Sequence, residues 1–125
     1  MVWVVRLDDA FEGEFAAFDE AVQDALLAGA KLLETFGPGL GRPHADTLKG
    51  SRHANMKELR FSAAGGVWRV AFAFDTRRQA ILLIAGDKAG VSERRFYQKL
   101  IATADKRYSA RLERLRLVST QKGKI

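Results

Sequence analysis

The sequence predicts a small mixed α/β (α+β) domain. An N-terminal strand and two helices lead into a three-strand antiparallel meander and a C-terminal helix. Three observations carry that reading. Residues 56–62 and 67–74 alternate apolar and polar positions with a period of two. A Gly-containing tetrad, Ala63-Ala64-Gly65-Gly66, separates them as a hairpin turn separates strands. Apolar residues at helical spacing flank this block on both sides. At 125 residues the chain is long enough for one hydrophobic core. Its 47% apolar content supports folding rather than disorder.

The elements follow in order. Residues 2–7 are rich in β-formers and predict a short strand. Asp8 and Asp9 can cap a helix over residues 10–18, interrupted by Gly13. Asp19 can start a second helix, whose apolar stripe runs through Val22, Leu26, Leu33 and Phe36. Gly29 falls on that stripe, which predicts a close backbone contact. Gly37-Pro38 ends the helix, and residues 39–54 read as a long loop of the kind that often carries function.

In the first meander strand, Leu59 and Phe61 face one way, while Glu58, Arg60 and Ser62 face the other. In the second, Trp68, Val70, Phe72 and Phe74 share one face, with Val67, Arg69, Ala71 and Ala73 opposite. Leu59, Phe61, Trp68, Val70 and Phe72 are therefore expected in the core. Asp75-Thr76-Arg77-Arg78 is a turn. The continuous apolar run at 80–85 predicts a central strand. Ser92 can cap the last helix, with Phe96, Leu100 and Ala104 as its core stripe and Tyr108 and Leu112 extending it. The domain is expected over residues 1–115, followed by a basic, flexible tail at 116–125 that frays from about Arg116.

The hairpin also makes a chemical statement. If it closes symmetrically, partner numbers sum to 129, and Arg60 sits directly opposite Arg69. Like charges at such a pair are destabilising unless an anion compensates them. The overall charge of +6 makes a phosphate the natural candidate. That charge is unevenly spread. Residues 1–36 carry a net −6, residues 37–87 a net +4 and residues 88–125 a net +8. An acidic first third and a basic remainder imply two different partner surfaces.

Other chemistries have less support. The absence of cysteine excludes disulfides, thiolate catalysis and Cys-based zinc sites, and fits a reducing cytoplasm. His44 and His53 lack the spacing of a metal site, so neither a metal nor a cofactor is expected. Gly65-Gly66 is a turn rather than a phosphate loop, because no helix follows it. The first six residues are too short for a signal segment, and no apolar run approaches the ~20 residues of a membrane span.

Six local strings run in one order along residues 2–112. They are Leu40-Gly41-Arg42-Pro43, Leu48-Lys49-Gly50-Ser51-Arg52-His53, Lys57-Glu58-Leu59-Arg60-Phe61, Trp68-Arg69-Val70-Ala71-Phe72, Gly86-Asp87-Lys88 and Arg95-Phe96-Tyr97. With the order of elements, they resemble the RelE/ParE toxin superfamily of type II toxin–antitoxin systems, and in particular its HigB-like, phage-derived branch. The resemblance implies a RelE-like fold and a ribosome-dependent mRNA endonuclease that inhibits translation. It implies attack of a ribose 2′-oxygen on the adjacent phosphate. It also implies silencing by a cognate helix-turn-helix antitoxin (HigA-like) in a hetero-oligomer.

By position, Arg69 matches the superfamily's phosphate-stabilising arginine, and Arg60 a basic strand residue. Lys88 matches the basic residue after the last strand, and Tyr97 a tyrosine that contacts the substrate. Glu58 stands near a position where RelE-like nucleases have lysine; it is either a base or an ion-pair partner of Arg69 on the diagonal. Lys57, Arg52 and His53 are candidate substrate-binding residues, His53 because it precedes the active strand. Each has a plainer reading as a solvated or packed side chain. The rival functions are a ParE-like toxin directed at DNA gyrase, which cuts nothing, and a degenerate antitoxin- or RNA-binding module.

Overall fold

The central hairpin closes as its numbering requires. In the computed structural model, which describes residues 3–122, strand β3 (Met56–Ala63) pairs antiparallel with β4 (Gly66–Phe74), and Arg60 lies opposite Arg69. Ala64 and Gly65 form the two-residue turn with φ of 50° and 78°. Both values are left-handed, as a type I′ hairpin turn requires.

Around this hairpin the remaining elements assemble a five-stranded sheet. They are β1 (Val4–Leu7), α1 (Asp9–Ala16), α2 (Glu20–Phe36), β2 (Ala45–Thr47), β5 (Gln79–Asp87) and α3 (Glu93–Lys122). The strand order is β1-β5-β4-β3-β2. β1 runs parallel to β5, and every other pairing is antiparallel. Of the expected first strand, Val2 lies outside the described residues. The apolar run at 80–85 is central, between β1 and β4.

Asp8 caps α1, accepting a hydrogen bond from the Ala10 N–H at 3.1 Å. Asp19 occupies the N-cap of α2 but makes no side-chain cap bond. The α2 stripe is buried at Val22, Leu26, Ala30 and Leu33. Phe36, expected on that stripe, is 57% exposed, because the stripe has rotated off the sheet by the last turn. Gly29 lets the helix backbone rest on the Leu59 side chain; a Cβ there would stand 3.6 Å from Leu59 Cδ1.

The sheet has two covered faces. α1 and α2 close one of them over Leu59, Val70, Phe72 and Leu82. α3 crosses the other over Met56, Ala71, Ala73, Ile81 and Leu83 through Phe96, Leu100, Ala104 and Tyr108. The face that carries Glu58, Arg60 and Arg69 is thus partly roofed. A bulge helps: β5 shifts register between Ala71 and Phe72, so both Leu83 and Ile84 join the α3 side. Gly86 admits the Phe96 ring, which lies 2.8 Å from where a Cβ would be.

Three expectations change. Trp68 and Phe61 face the α1–α2 side in the expected register but are only half-buried. They sit near the hairpin end, where they stack on each other with centroids 6.3 Å apart and Phe18 meets Trp68 edge-on. The loop at 39–54 contains an edge strand, β2, that three polar-flanked residues could not announce. Finally, α3 continues past Arg116 to Lys122, where a fraying tail was expected. Neither glycine nor proline interrupts residues 91–122, and Glu113 pairs with Arg116 one turn on. Tail residues 123–125 lie outside the described residues. Among the described residues, no helix is long and apolar enough to cross a membrane.

Candidate functional site

The sheet's hydrogen-bond phase brings the two arginines close. The Arg60 N–H donates to the His44 carbonyl at 2.8 Å, so the Arg60 backbone groups face β2 rather than β4. Arg60 and Arg69 therefore form a non-hydrogen-bonded pair, the type in which Cα atoms approach to about 4.5 Å and side chains lie closest.

Glu58 resolves their repulsion. It stands two residues before Arg60 on the same face and on the diagonal from Arg69. One carboxylate oxygen, Oε2, lies 3.8 Å from Arg60 Nε, and Oε1 lies 3.7 Å from Arg69 Nε. Both Nε donors are buried and make no hydrogen bond. One carboxylate is thus shared between two cations at ion-pair range. Arg69 is fixed further by Nη1 donating to the Trp68 carbonyl at 2.9 Å. It is 8% exposed, more enclosed than an open sheet face would leave it.

α3 supplies the roof. The Tyr97 hydroxyl donates to Glu58 Oε1 at 2.8 Å. Burial pushes the Tyr97 phenol above its usual range, and the hydrogen bond to the Glu58 carboxylate pushes the same way, against a smaller pull from Arg69. Tyr97 therefore stays protonated at neutral pH and acts as a donor. Glu58 and Tyr97 open onto a cleft of about 370 Å³ whose other wall includes Arg42, Asp46, Thr47 and Lys49. Arg42 pairs with Asp46 at 2.7 Å. That guanidinium is the main reason the Asp46 carboxyl sits below the ordinary range.

The candidates from the sequence divide into two groups. Glu58, Arg60, Arg69 and Tyr97 converge. Lys88 makes other contacts: its backbone N–H donates to the Val67 carbonyl, and its ammonium pairs with Glu93 at 3.1 Å. Lys57 does not join them. It points to the opposite face of β3 and donates to the Pro38 carbonyl at 3.2 Å. Arg52 and His53 are also elsewhere. The Arg52 N–H donates to Asp105, and His53 Nε2 lies 3.0 Å from Ser109 Oγ. Ser109 follows Tyr97 by twelve residues, roughly 18 Å along the helix. Asp46 was missed because β2 was. Arg42 and Lys49 lay in the loop flagged as functional, with nothing in the sequence to aim them. Among the described residues, no group of three or more His, Asp or Glu side chains could hold a metal ion.

Residues 13–109 match the family described as Phage derived protein Gp49-like (DUF891). This chain belongs to that family. The matched stretch includes every residue of the cluster. Two Mycobacterium tuberculosis (strain ATCC 25618 / H37Rv) proteins named as toxins are similar to it. Identity to HigB2 is 44% over 95 residues, covering 75% of this chain and 47% of HigB2. Identity to HigB3 is 46% over 93 residues, covering 74% of this chain and 79% of HigB3. The chain thus matches about half the length of HigB2 and most of HigB3, and it is a HigB-family protein.

Two solved structures share its fold. One is a mutant of the E. coli toxin RelE in the free state, with TM-score 0.59 and 11% identity, covering 82% of this chain and 96% of RelE. The other is the archaeal RelE–RelB complex from Pyrococcus horikoshii OT3, with TM-score 0.52 and 16% identity, covering 73% of this chain and all of that one. The Gp49-like chain therefore has the RelE fold with little RelE sequence.

Proposed function

We propose that this chain is the toxin of a type II toxin–antitoxin system and that it cuts mRNA on translating ribosomes in the cytoplasm. The observation that carries the reading is the Arg60–Arg69 pair, held by Glu58, which with Tyr97 lines the neighbouring cleft. In the reaction a bond forms between the ribose 2′-oxygen and phosphorus, and the bond to the 5′-oxygen breaks. The products are a 2′,3′-cyclic phosphate and a 5′-hydroxyl. No external reagent is consumed.

Arg60 and Arg69 take the scissile phosphate and offset the charge that grows on its oxygens. Arginine can do this with two parallel donors, which lysine cannot. A preorganised donor of this kind is worth on the order of a hundredfold in rate. Tyr97, kept protonated, donates to the departing 5′-oxygen. Lys88 adds positive charge at the rim. Glu58 is a positioning residue: it fixes both guanidiniums, and the 2′-proton leaves to water. The antitoxin is a small helix-turn-helix protein whose acidic segments cover the basic cleft, speeding association and masking the site.

Induction of the chain alone, with RNA 5′ ends mapped across the transcriptome, tests this reading. Growth should stop, and new 5′ ends should fall within translated codons. Co-expression of the adjacent reading frame should restore growth. A DNA-damage response without new RNA ends would overturn the nuclease reading in favour of gyrase. Undisturbed growth at confirmed soluble expression would overturn the toxin assignment itself.

A further inference from the structure

The loop string from Leu48 to His53 stands outside the cluster around Arg69, yet it is tied down at both ends. Leu48 is buried, and its N–H donates to the Met56 carbonyl at 3.0 Å. Three residues on, the chain docks against the middle of α3. The Ser51 hydroxyl donates to Asp105 Oδ1, and the Arg52 N–H donates to Asp105 Oδ2 at 3.1 Å. The Ser51 oxygen in turn accepts the His53 N–H at 2.9 Å. Asp105 is 7% exposed, so its oxygens rely on these loop donors rather than on water.

Lys49 and Gly50 lie between the two anchors. Gly50 has a φ of 98°, a value that favours glycine, and it rests on Ile101; a Cβ there would stand 3.5 Å from Ile101 Cδ1. This bend sends Ser51 to α3 and leaves Lys49 lining the cleft with Glu58 and Tyr97. Arg42, on the same wall, is paired with Asp46. Lys49 is exposed and makes no ion pair among the described residues. Its ammonium is the cation of this wall that is left for a ligand.

α3 thus holds both sides of the cleft. Tyr97 hangs from it directly. The Lys49 wall hangs from it through Asp105, eight residues later and about 12 Å along the helix. A buried carboxylate adds little stability, because desolvation offsets much of what its partners return. It does something an apolar anchor cannot. Donors from two successive loop residues meet one carboxylate, which fixes the direction of the segment as well as its position.

We propose that Asp105 is a positioning residue for RNA cleavage: by clamping Ser51 and Arg52 it aims Lys49 at an RNA phosphate beside the scissile one. The proposal rests on the nuclease reading and adds a second, non-reacting phosphate contact to it. A contact to a phosphate that does not react is as strong in the ground state as in the transition state, so it acts on binding rather than on chemistry. Loss of Lys49, or of its alignment, therefore raises KM, whereas loss of Arg69 lowers kcat. Because Asp105 acts through Lys49, the two substitutions are not additive.

The test compares wild type, Lys49→Ala, Asp105→Asn and the double variant in two assays, with thermal melting as the control. One assay is mRNA cleavage on translating ribosomes. The other is fluorescence anisotropy with a labelled, fully 2′-O-methylated RNA decamer, which cannot be cut. Asp105→Asn keeps the shape, but its amide nitrogen cannot accept, so one loop donor loses its partner. Each single variant should raise KM and the decamer Kd by about tenfold, with kcat within about twofold of wild type. The double variant should be no worse than Lys49→Ala. If Asp105→Asn does not fold, Ser51→Ala takes its place, since it removes one donor from the surface side of the same clamp. Unchanged KM and Kd, a fall in kcat alone, or losses that multiply in the double variant overturn the positioning role while leaving the nuclease reading intact. A wild type that cuts nothing but binds the decamer with the expected pattern overturns the nuclease reading and supports the clamp. A wild type that neither cuts nor binds overturns both.

Discussion

The two faces of the sheet are built from alternate residues of the same strands, yet they solve opposite problems. On the α1–α2 face, Leu59, Val70, Phe72 and Leu82 are at most 1% exposed and belong to one hydrophobic cluster. On the α3 face, the half under Leu100 and Tyr108 is equally dry, but the half under Tyr97 holds Glu58, Arg60 and Arg69. Small residues mark the boundary. Ala71 and Ala73 pack under α3, and Gly86 admits the Phe96 ring beside Arg69. A buried ion cluster is a weak source of stability, because desolvation offsets most of the Coulomb attraction. The cluster therefore sets this half of one face apart from the largely apolar face behind it.

Substitutions that separate the two faces should break that contrast or sharpen it. The largest effect on folding belongs to the apolar face. Phe72→Ala should cost about 3–5 kcal/mol in urea unfolding, through lost burial and a cavity. A loss below about 1 kcal/mol would mean that the α1–α2 core is not the stabilising layer.

Glu58→Gln tests the polar half more gently. It keeps the shape, and the hydrogen bond to Tyr97 can survive, but both arginines lose their shared anion. Cleavage should fall by up to about a hundredfold, as misplaced binding groups do. The pH–rate profile should keep its form. Loss of the acidic limb instead would make Glu58 the general base.

The smallest effect concerns the strap between the faces. Arg107 reaches from α3 past the β5 edge to Glu14 on α1, with oxygens at 2.9 and 2.6 Å. The guanidinium holds the Glu14 carboxyl below its ordinary range. A lowered folded value means stability that is full above the unfolded pKa of about 4.3 and lost as pH falls through the folded one. The pair is partly solvated, so Glu14→Gln should cost under about 1 kcal/mol at neutral pH. The difference from wild type should close as pH falls through the lowered folded value. A gap that persists in acid would assign the effect to packing rather than charge.

Much of this was legible in the sequence because period-two alternation and a two-residue turn fix a register completely. That is why Arg60 and Arg69 could be paired from their numbers alone. The α3 stripe from Phe96 to Tyr108 was legible for the same reason, at helical spacing. What stayed hidden depends on tertiary placement. Trp68 and Phe61 obey the alternation, but no helix reaches far enough to cover them fully. β2 is too short to carry a pattern, and with it went Asp46 and the cleft wall. His53 and Arg52 precede β3 in sequence, but Asp105 and Ser109 draw them to the middle of α3, away from Tyr97. The sequence left Glu58 open between base and ion-pair partner, because only tertiary placement sets its two oxygens between the two guanidiniums.

The central claim is that Arg60 and Arg69 form a phosphate-gripping pair rather than a solvated one. The most direct measurement is mRNA cleavage on purified translating ribosomes by wild type, Arg69→Ala and Arg77→Ala, with thermal melting as the control. Arg77 lies in the β4–β5 turn, outside the cluster. Arg69→Ala should lose on the order of a hundredfold in rate. Its melting should drop only modestly, since Glu58 keeps Arg60 and Tyr97 as partners. Arg77→Ala should cleave like wild type. A folded Arg69→Ala that cleaves as fast as wild type would contradict the account.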